Sequence, residues 1–231
     1  MVRIEAEHVS HVYGSGPLAR LVLDDVDVTL TERRIGVIGH NGSGKSTFVR
    51  MLNALLLPAR GSVRVTGLDT RKDANQVRRL AGFLFTDPDN QIIMPTVAED
   101  VGFGLRKSGL SKQQIAERVA DVLARYGLAD HRDHPAHLLS GGQKQLLALA
   151  AVLITDPQLI IMDEPTTLLD LRNARMIGQV IAELPQTVVL ATHHLELLDD
   201  FDRVLVFDGG RVVADGTPAE AVAYYRDLMM V

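Results

Sequence analysis

The sequence predicts an α/β fold, with a parallel sheet of buried strands and a helical segment inserted into it. Three observations predict this. First, the runs Ile35-Gly36-Val37-Ile38, Leu159-Ile160-Ile161-Met162 and Thr187-Val188-Val189-Leu190-Ala191 are short, continuous and apolar, as strands covered on both faces are. Second, the earliest of these leads into Gly39-His40-Asn41-Gly42-Ser43-Gly44-Lys45-Ser46-Thr47 and then into an amphipathic run reaching Leu56, which is the order strand, glycine loop, helix. Third, residues 87–155 read as helices bracketed by capping residues.

In chain order, residues 3–9 and 21–30 alternate apolar and polar as half-buried strands do, with Val26, Val28 and Leu30 on one face. The loop between them, His11 to Pro17, holds Tyr13, which is either a loop anchor or an aromatic face for a nucleobase. A turn at Leu57–Ser62 precedes a short strand at Val63–Gly67, a helix over Gln76–Leu80 and a strand at Gly82–Phe85. Thr96-Val97-Ala98-Glu99 and Ser111-Lys112-Gln113-Gln114 each read as a capping box opening a helix. The second of these helices closes at Gly127. His131, His134 and His137 fall three apart, but Pro135 interrupts any helix that would align them, so a polar linker is expected rather than a metal site. Ser140 caps a long helix through Ile154. A hairpin over 203–215 turns at Asp208-Gly209-Gly210, and Thr217-Pro218-Ala219-Glu220 starts the last helix.

The glycine loop points to phosphate. Gly39, Gly42 and Gly44 let backbone N–H groups approach an anion, and the following helix adds its positive end. In a G-x-x-x-x-G-K-[ST] loop, Lys45 neutralises the β- and γ-phosphates and the Ser46 hydroxyl ligates Mg²⁺. Asp163 and Glu164 follow a buried strand, whose end lies beside such a loop in an α/β sheet. Asp163 is therefore expected to hold Mg²⁺, and Glu164 to polarise a water. His193 and His194 end another buried strand of the kind that neighbours it. Gly141 and Gly142, just after Ser140, make a second helix start suited to an anion.

Composition sets the bounds. The 231 residues are 46% hydrophobic, enough for a sizeable core, and the formal net charge is −5 without a basic run. A nucleic-acid partner held through its phosphates is not expected of such a chain. There is no cysteine, which excludes disulfides and thiolate metal sites. The longest apolar run, 146–154, falls far short of the roughly 20 residues of a membrane span. The first residues show no secretory pattern, so a soluble protein is expected.

Taken together, the ordered motifs resemble the nucleotide-binding subunit of ATP-binding cassette (ABC) transporters over essentially the whole chain. The residues that carry the resemblance are Tyr13, the phosphate loop Gly39, His40, Asn41, Gly42, Ser43, Gly44, Lys45, Ser46 and Thr47, and the signature Leu139-Ser140-Gly141-Gly142-Gln143. Asp163 and Glu164, Asp170 of the D-loop and His193 complete the set. The resemblance implies a RecA-like P-loop NTPase core with an antiparallel β subdomain, over 1–86 and 156–231, and a helical signature subdomain over 87–155. It implies an ATPase with ATP and Mg²⁺ as its cofactors. Tyr13 would stack on adenine, Lys45, Glu164 and His193 would be catalytic, and Ser46 and Asp163 would bind the metal. A second ABC ATPase chain, identical or a paralogue, would bring its Ser140, Gly141, Gly142 and Gln143 against the nucleotide in this chain's loop.

Within the family, Phe85 to Gln91 followed by Thr96 to Gly104 resembles energy-coupling-factor (ECF) importers of vitamins and metal ions. Thr167-Leu168-Leu169-Asp170-Leu171 is similar to the ATPase of the biotin-specific ones. That resemblance implies a transmembrane coupling subunit, a substrate-binding membrane subunit and a peripheral place on the cytoplasmic face of the cell membrane. One departure stands out: position 86 is Thr where the family usually has a Gln, and Gln91 lies too far on to be an obvious substitute. Two other readings remain open at this point. One is a soluble ABC-type ATPase acting on nucleic acid or ribosomes, and the other is a regulatory cassette that binds nucleotide without coupling to transport.

Overall fold

A computed structural model describes residues 2–230 and divides into two compact units. Of the described residues, the larger comprises 2–81, 158–164 and 184–230, and the smaller 82–157 and 165–183.

The larger unit holds two sheets. In the first, β1 (Ile4–Tyr13), β2 (Arg20–Leu30), β4 (Arg60–Val65) and β5 (Leu68–Asp69) run antiparallel in the order β2-β1-β4-β5. Alternation along β2 buries Leu23, Val26, Val28 and Leu30, the pattern of a sheet covered on one face. In the second, five strands of this unit run β10-β9-β3-β8-β7. They are β3 (Arg34–Gly39), β7 (Leu159–Asp163), β8 (Thr187–Ala191), β9 (Arg203–Asp208) and β10 (Arg211–Gly216). β3, β7, β8 and β9 are mutually parallel, and every residue of β3 and of β7 is buried. The hairpin β9–β10 supplies an antiparallel edge. Because β3, β7 and β8 point the same way, Gly39, Asp163 and Ala191 finish at one end of the sheet. That end is where α/β folds hold their ligands.

Three helices complete this unit. α1 (Lys45–Met51) packs Phe48 against Phe207 of β9, with ring centroids 5.2 Å apart and both rings fully buried. α1 is shorter than the amphipathic run to Leu56 predicts. Ala54 turns into the left-handed region at φ 58°, and the N–H groups of Leu55 and Leu56 fold back onto the Arg50 carbonyl. α2 (Ala74–Leu80) follows β5, and α7 (Pro218–Leu228) opens on the predicted capping box of Thr217 and Glu220.

On the antiparallel sheet a bulge sets His8 (φ 49°) against Asp25 (φ 52°), and His8 Nδ1 lies 3.0 Å from both Asp25 Oδ1 and Asp27 Oδ2. The hydrogen bond with Asp25, then the charge of Asp27, raise the imidazole above its usual pKa of 6.5. A raised folded-state value stabilises the fold below the unfolded value and loses that increment as pH climbs through the folded one. Thermal melts of His8→Gln against the unsubstituted chain should therefore differ most near pH 6 and converge toward pH 9.

The smaller unit begins inside β6 (Ala81–Leu84), at Gly82, and its other regular elements are helices: α3 (Val97–Phe103), α4 (Lys112–Arg125), α5 (Gly141–Leu153) and α6 (Leu171–Glu183). Thr96 with Glu99, Ser111 with Gln114, and Ser140 with Gln143 each form a reciprocal capping box at the start of a helix. Such caps satisfy two otherwise orphaned N–H groups apiece, and losing one costs roughly 1 kcal/mol. α5 is the central element, with Gln145 through Ala150 buried without interruption.

Candidate functional site

In the larger unit, the loop between β3 and α1 is shaped by close approach. Gly39 has φ 148°, and a Cβ there would lie 2.2 Å from the Phe207 carbonyl oxygen. Gly44, at φ 108°, stands at the N-cap of α1. Within this loop the Lys45 ammonium donates to the Gly39 carbonyl at 2.6 Å and the His40 carbonyl at 3.1 Å, and lies 3.9 Å from Glu164 Oε1. Burial lowers its pKa, and the charges of Glu164 and Asp163 oppose that shift. His40 Nε2 meets Asp208 Oδ1 at 2.9 Å, which ties the loop to the start of the β9–β10 turn.

Asp163, at the end of β7, is only 1% exposed. Its Oδ1 accepts from Ser46 Oγ at 2.7 Å and its Oδ2 from Arg50 Nη2 at 2.9 Å. Sequence reasoning missed Arg50. The available signal was its spacing four residues beyond Ser46, one helical turn along the same face. A hydroxyl and a buried carboxylate in contact form a hard-oxygen donor pair of the kind Mg²⁺ prefers, so these residues fit that ion.

Glu164 follows with φ 54°, a strained conformation for a non-glycine residue and one that concentrates at functional sites. Its N–H is bonded to the Ala191 carbonyl at 2.8 Å, and its Oε2 receives the His193 N–H at 3.2 Å. The same oxygen lies 2.6 Å from His193 Nδ1. β8 does lie beside β7, as the buried runs led us to expect. Lys45, Ser46, Asp163, Glu164 and His193 are thus linked through direct contacts. A cation, a hydroxyl, two carboxylates and an imidazole at the mouth of a glycine loop can bind a polyphosphate and handle the proton of a water. Tyr13 lies at the end of β1 rather than in a loop, 43% exposed and edge-on to His11 at 4.7 Å. Thr47 is buried on α1.

The smaller unit carries the remaining predicted residues. Ser140 Oγ accepts from the Gln143 N–H at 3.4 Å, which leaves the hydroxyl proton available to another acceptor. Gly141 is exposed and Gly142 buried, where a Cβ would meet Asn173 Oδ1 at 2.4 Å. Gln143 Nε2 meets His131 Nε2 at 3.0 Å. Asp170 caps α6 by accepting from the N–H and Nδ2 of Asn173 at 2.8 and 3.0 Å. Gln91 spends both ends of its amide on backbone, accepting from Phe85 N–H at 3.2 Å and donating to the Ala148 carbonyl at 3.1 Å. It is a structural brace in this unit. Among the described residues the converging trio of potential metal ligands is His8, Asp25 and Asp27, and not His131, His134 and His137.

Comparison with known proteins places these features. The family described as ABC transporter matches residues 23–167. The chain is 49% identical over 210 residues to the biotin transport ATP-binding protein BioM of Rhizobium etli, covering 91% of this chain and 93% of that one. It is 44% identical over 226 residues to the energy-coupling factor transporter ATP-binding protein EcfA1 of Caldanaerobacter subterraneus, covering 94% and 81%. Among solved structures, cbiO1 of Clostridium perfringens, part of the ABC transporter complex cbiONQ, aligns with a TM-score of 0.83 at 32% identity over 99% of this chain and 93% of that one. The cassette MJ0796, solved as a dimer bound to ADP and Pi, aligns at 0.84 and 27% identity over 93% and 98%. The glycine loop, the linked carboxylates and a match that spans more than half of the residues lead to one conclusion: the chain belongs to the ABC transporter family, as an ATP-binding cassette that hydrolyses ATP.

Proposed function

We propose that this cassette powers uptake of a micronutrient, a vitamin such as biotin or a metal ion such as cobalt, as the ATPase of an ECF-type importer. The observation that carries the chemistry is the direct linkage of Lys45, Ser46, Asp163, Glu164 and His193 around one glycine loop. The likeness to BioM and EcfA1 supports the transport role.

In this reading the loop from Gly39 to Thr47 wraps the triphosphate and Tyr13 stacks on the adenine. Glu164 accepts the proton of the attacking water, and His193, fixed by Glu164, steadies the γ-phosphate. Ser46 and Asp163 would hold Mg²⁺, which when bound neutralises charge on the triphosphate. A second cassette, identical or paralogous, closes its Ser140–Gln143 signature and Asp170 over that nucleotide. The pair sits on the cytoplasmic face of the membrane beneath a coupling subunit and a substrate-binding subunit. Among the described residues no helix is long and apolar enough to cross a membrane, so membrane attachment in this scheme comes from those partners.

The test is affinity purification of the tagged chain from detergent-solubilised membranes, followed by identification of the bound subunits and small molecules. Recovery of two integral membrane proteins with a bound vitamin or metal ion, and ATPase activity that rises on their addition, is the expected result. A chain recovered only with ribosomes, or alone, sinks the transport assignment.

A further inference from the structure

The polar groups of the site described above come from the phosphate loop and from the strands that follow it. One cation nearby comes from elsewhere. A Cβ built on Gly42 would lie 3.7 Å from Arg20 Nη2, so the Arg20 guanidinium overhangs the phosphate loop. Arg20 is the first residue of β2 and the cross-strand partner of Tyr13 in the β1–β2 ladder. The end of that hairpin therefore presents an aromatic ring and a cation side by side. Arg20 is exposed, and its side chain has no hydrogen bond or ion pair with any described residue. Arg50, Arg64, Arg203 and Arg211 contact carboxylates, whereas Arg60, Arg79, Arg172 and Arg175 share with Arg20 the lack of such a bond; what sets Arg20 apart is its place over Gly42.

We propose that Arg20 is a further nucleotide-binding residue, which grips the polyphosphate from the β2 side while Lys45 holds it from beneath. Its planar fork can take two phosphate oxygens at once, as a point-charge ammonium cannot. With no internal partner to give up, the guanidinium at this position is free to meet a phosphate. The proposal rests on the reading that nucleotide occupies the loop, and it adds a specificity element: polyphosphate is recognised from a strand outside the loop itself.

Calorimetric titration of the full chain with ATP and with inorganic tripolyphosphate tests it without recourse to turnover. Arg20→Gln should raise Kd for both ligands by about 5- to 10-fold, as expected on losing charge-assisted hydrogen bonds at an exposed site. Its ligand-free melting temperature should match that of the unsubstituted chain, because no internal contact is removed. Arg20→Lys should recover part of the affinity. Tyr13→Ala should weaken ATP and leave tripolyphosphate unchanged, which separates the ring from the cation. If Arg20→Gln binds tripolyphosphate as tightly as the unsubstituted chain, the proposal is overturned while the cassette reading stands. If the unsubstituted chain binds neither ATP nor tripolyphosphate, both fall together.

Discussion

Glu164→Gln is expected to lower kcat for ATP hydrolysis by about 10²- to 10⁴-fold, the usual worth of a positioned general base. The substitution is nearly isosteric. The amide oxygen can still accept the His193 N–H that now reaches Oε2 at 3.2 Å, so the strand end should keep its shape. What disappears is the charge that sits 3.9 Å from the Lys45 ammonium and 2.6 Å from His193 Nδ1, and with it the ability to take a proton from water. ATP affinity should change by no more than about threefold, because the glycine loop proposed to wrap the triphosphate is untouched. With binding intact and hydrolysis blocked, ATP should drive the variant into a long-lived dimer that elutes early in gel filtration. Turnover at the unsubstituted rate would remove Glu164 from the role assigned to it.

Gly39→Ala should be the most damaging single-methyl addition to the loop. The new Cβ would sit 2.2 Å from the carbonyl oxygen of Phe207 and 2.7 Å from Ser43 Oγ. The serine can rotate away, but the carbonyl belongs to β9, paired in register with Gly39 itself. The φ of 148° adds strain for any residue with a side chain. Relief requires the loop to pull away from the strand, and the carbonyls that hold Lys45 would move with it. A loss of at least about 2 kcal/mol is expected, which for a chain of this size lowers Tm by roughly 5 °C or more. Kd for ATP should rise more than tenfold. Scanning calorimetry and titration calorimetry read the two effects separately. A variant that melts and binds like the unsubstituted chain would show that the loop is less tightly seated than the geometry indicates.

Much of the fold was legible because its signals are local. The buried runs that became β3, β7 and β8 need no knowledge of their neighbours, and neither do the capping boxes at Thr96, Ser111 and Thr217. The phosphate loop was readable for the same reason, since its chemistry lies within nine consecutive residues. What sequence could not supply is pairing between distant positions. Arg50 meets Asp163 across 113 residues, and His40 meets Asp208 across 168. Apart from the one-turn spacing of Arg50 from Ser46, neither pair leaves a trace in periodicity or composition. The early end of α1 also escaped notice, because the run to Leu56 is apolar on the correct face and only a left-handed Ala54 stops it. Arg20 was separable from an ordinary strand residue only once the hairpin register set it opposite Tyr13.

The seating of Lys45 bears on which ligands the loop selects. Its ammonium already leans on the carbonyls of Gly39 and His40, so any guest must displace those contacts before it gains the cation. Metabolites that share the adenine but carry little negative charge profit least from that exchange, and triphosphates profit most. A cassette built this way selects its nucleotide by charge as well as by shape, and favours ATP over ADP, AMP and adenosine in that order.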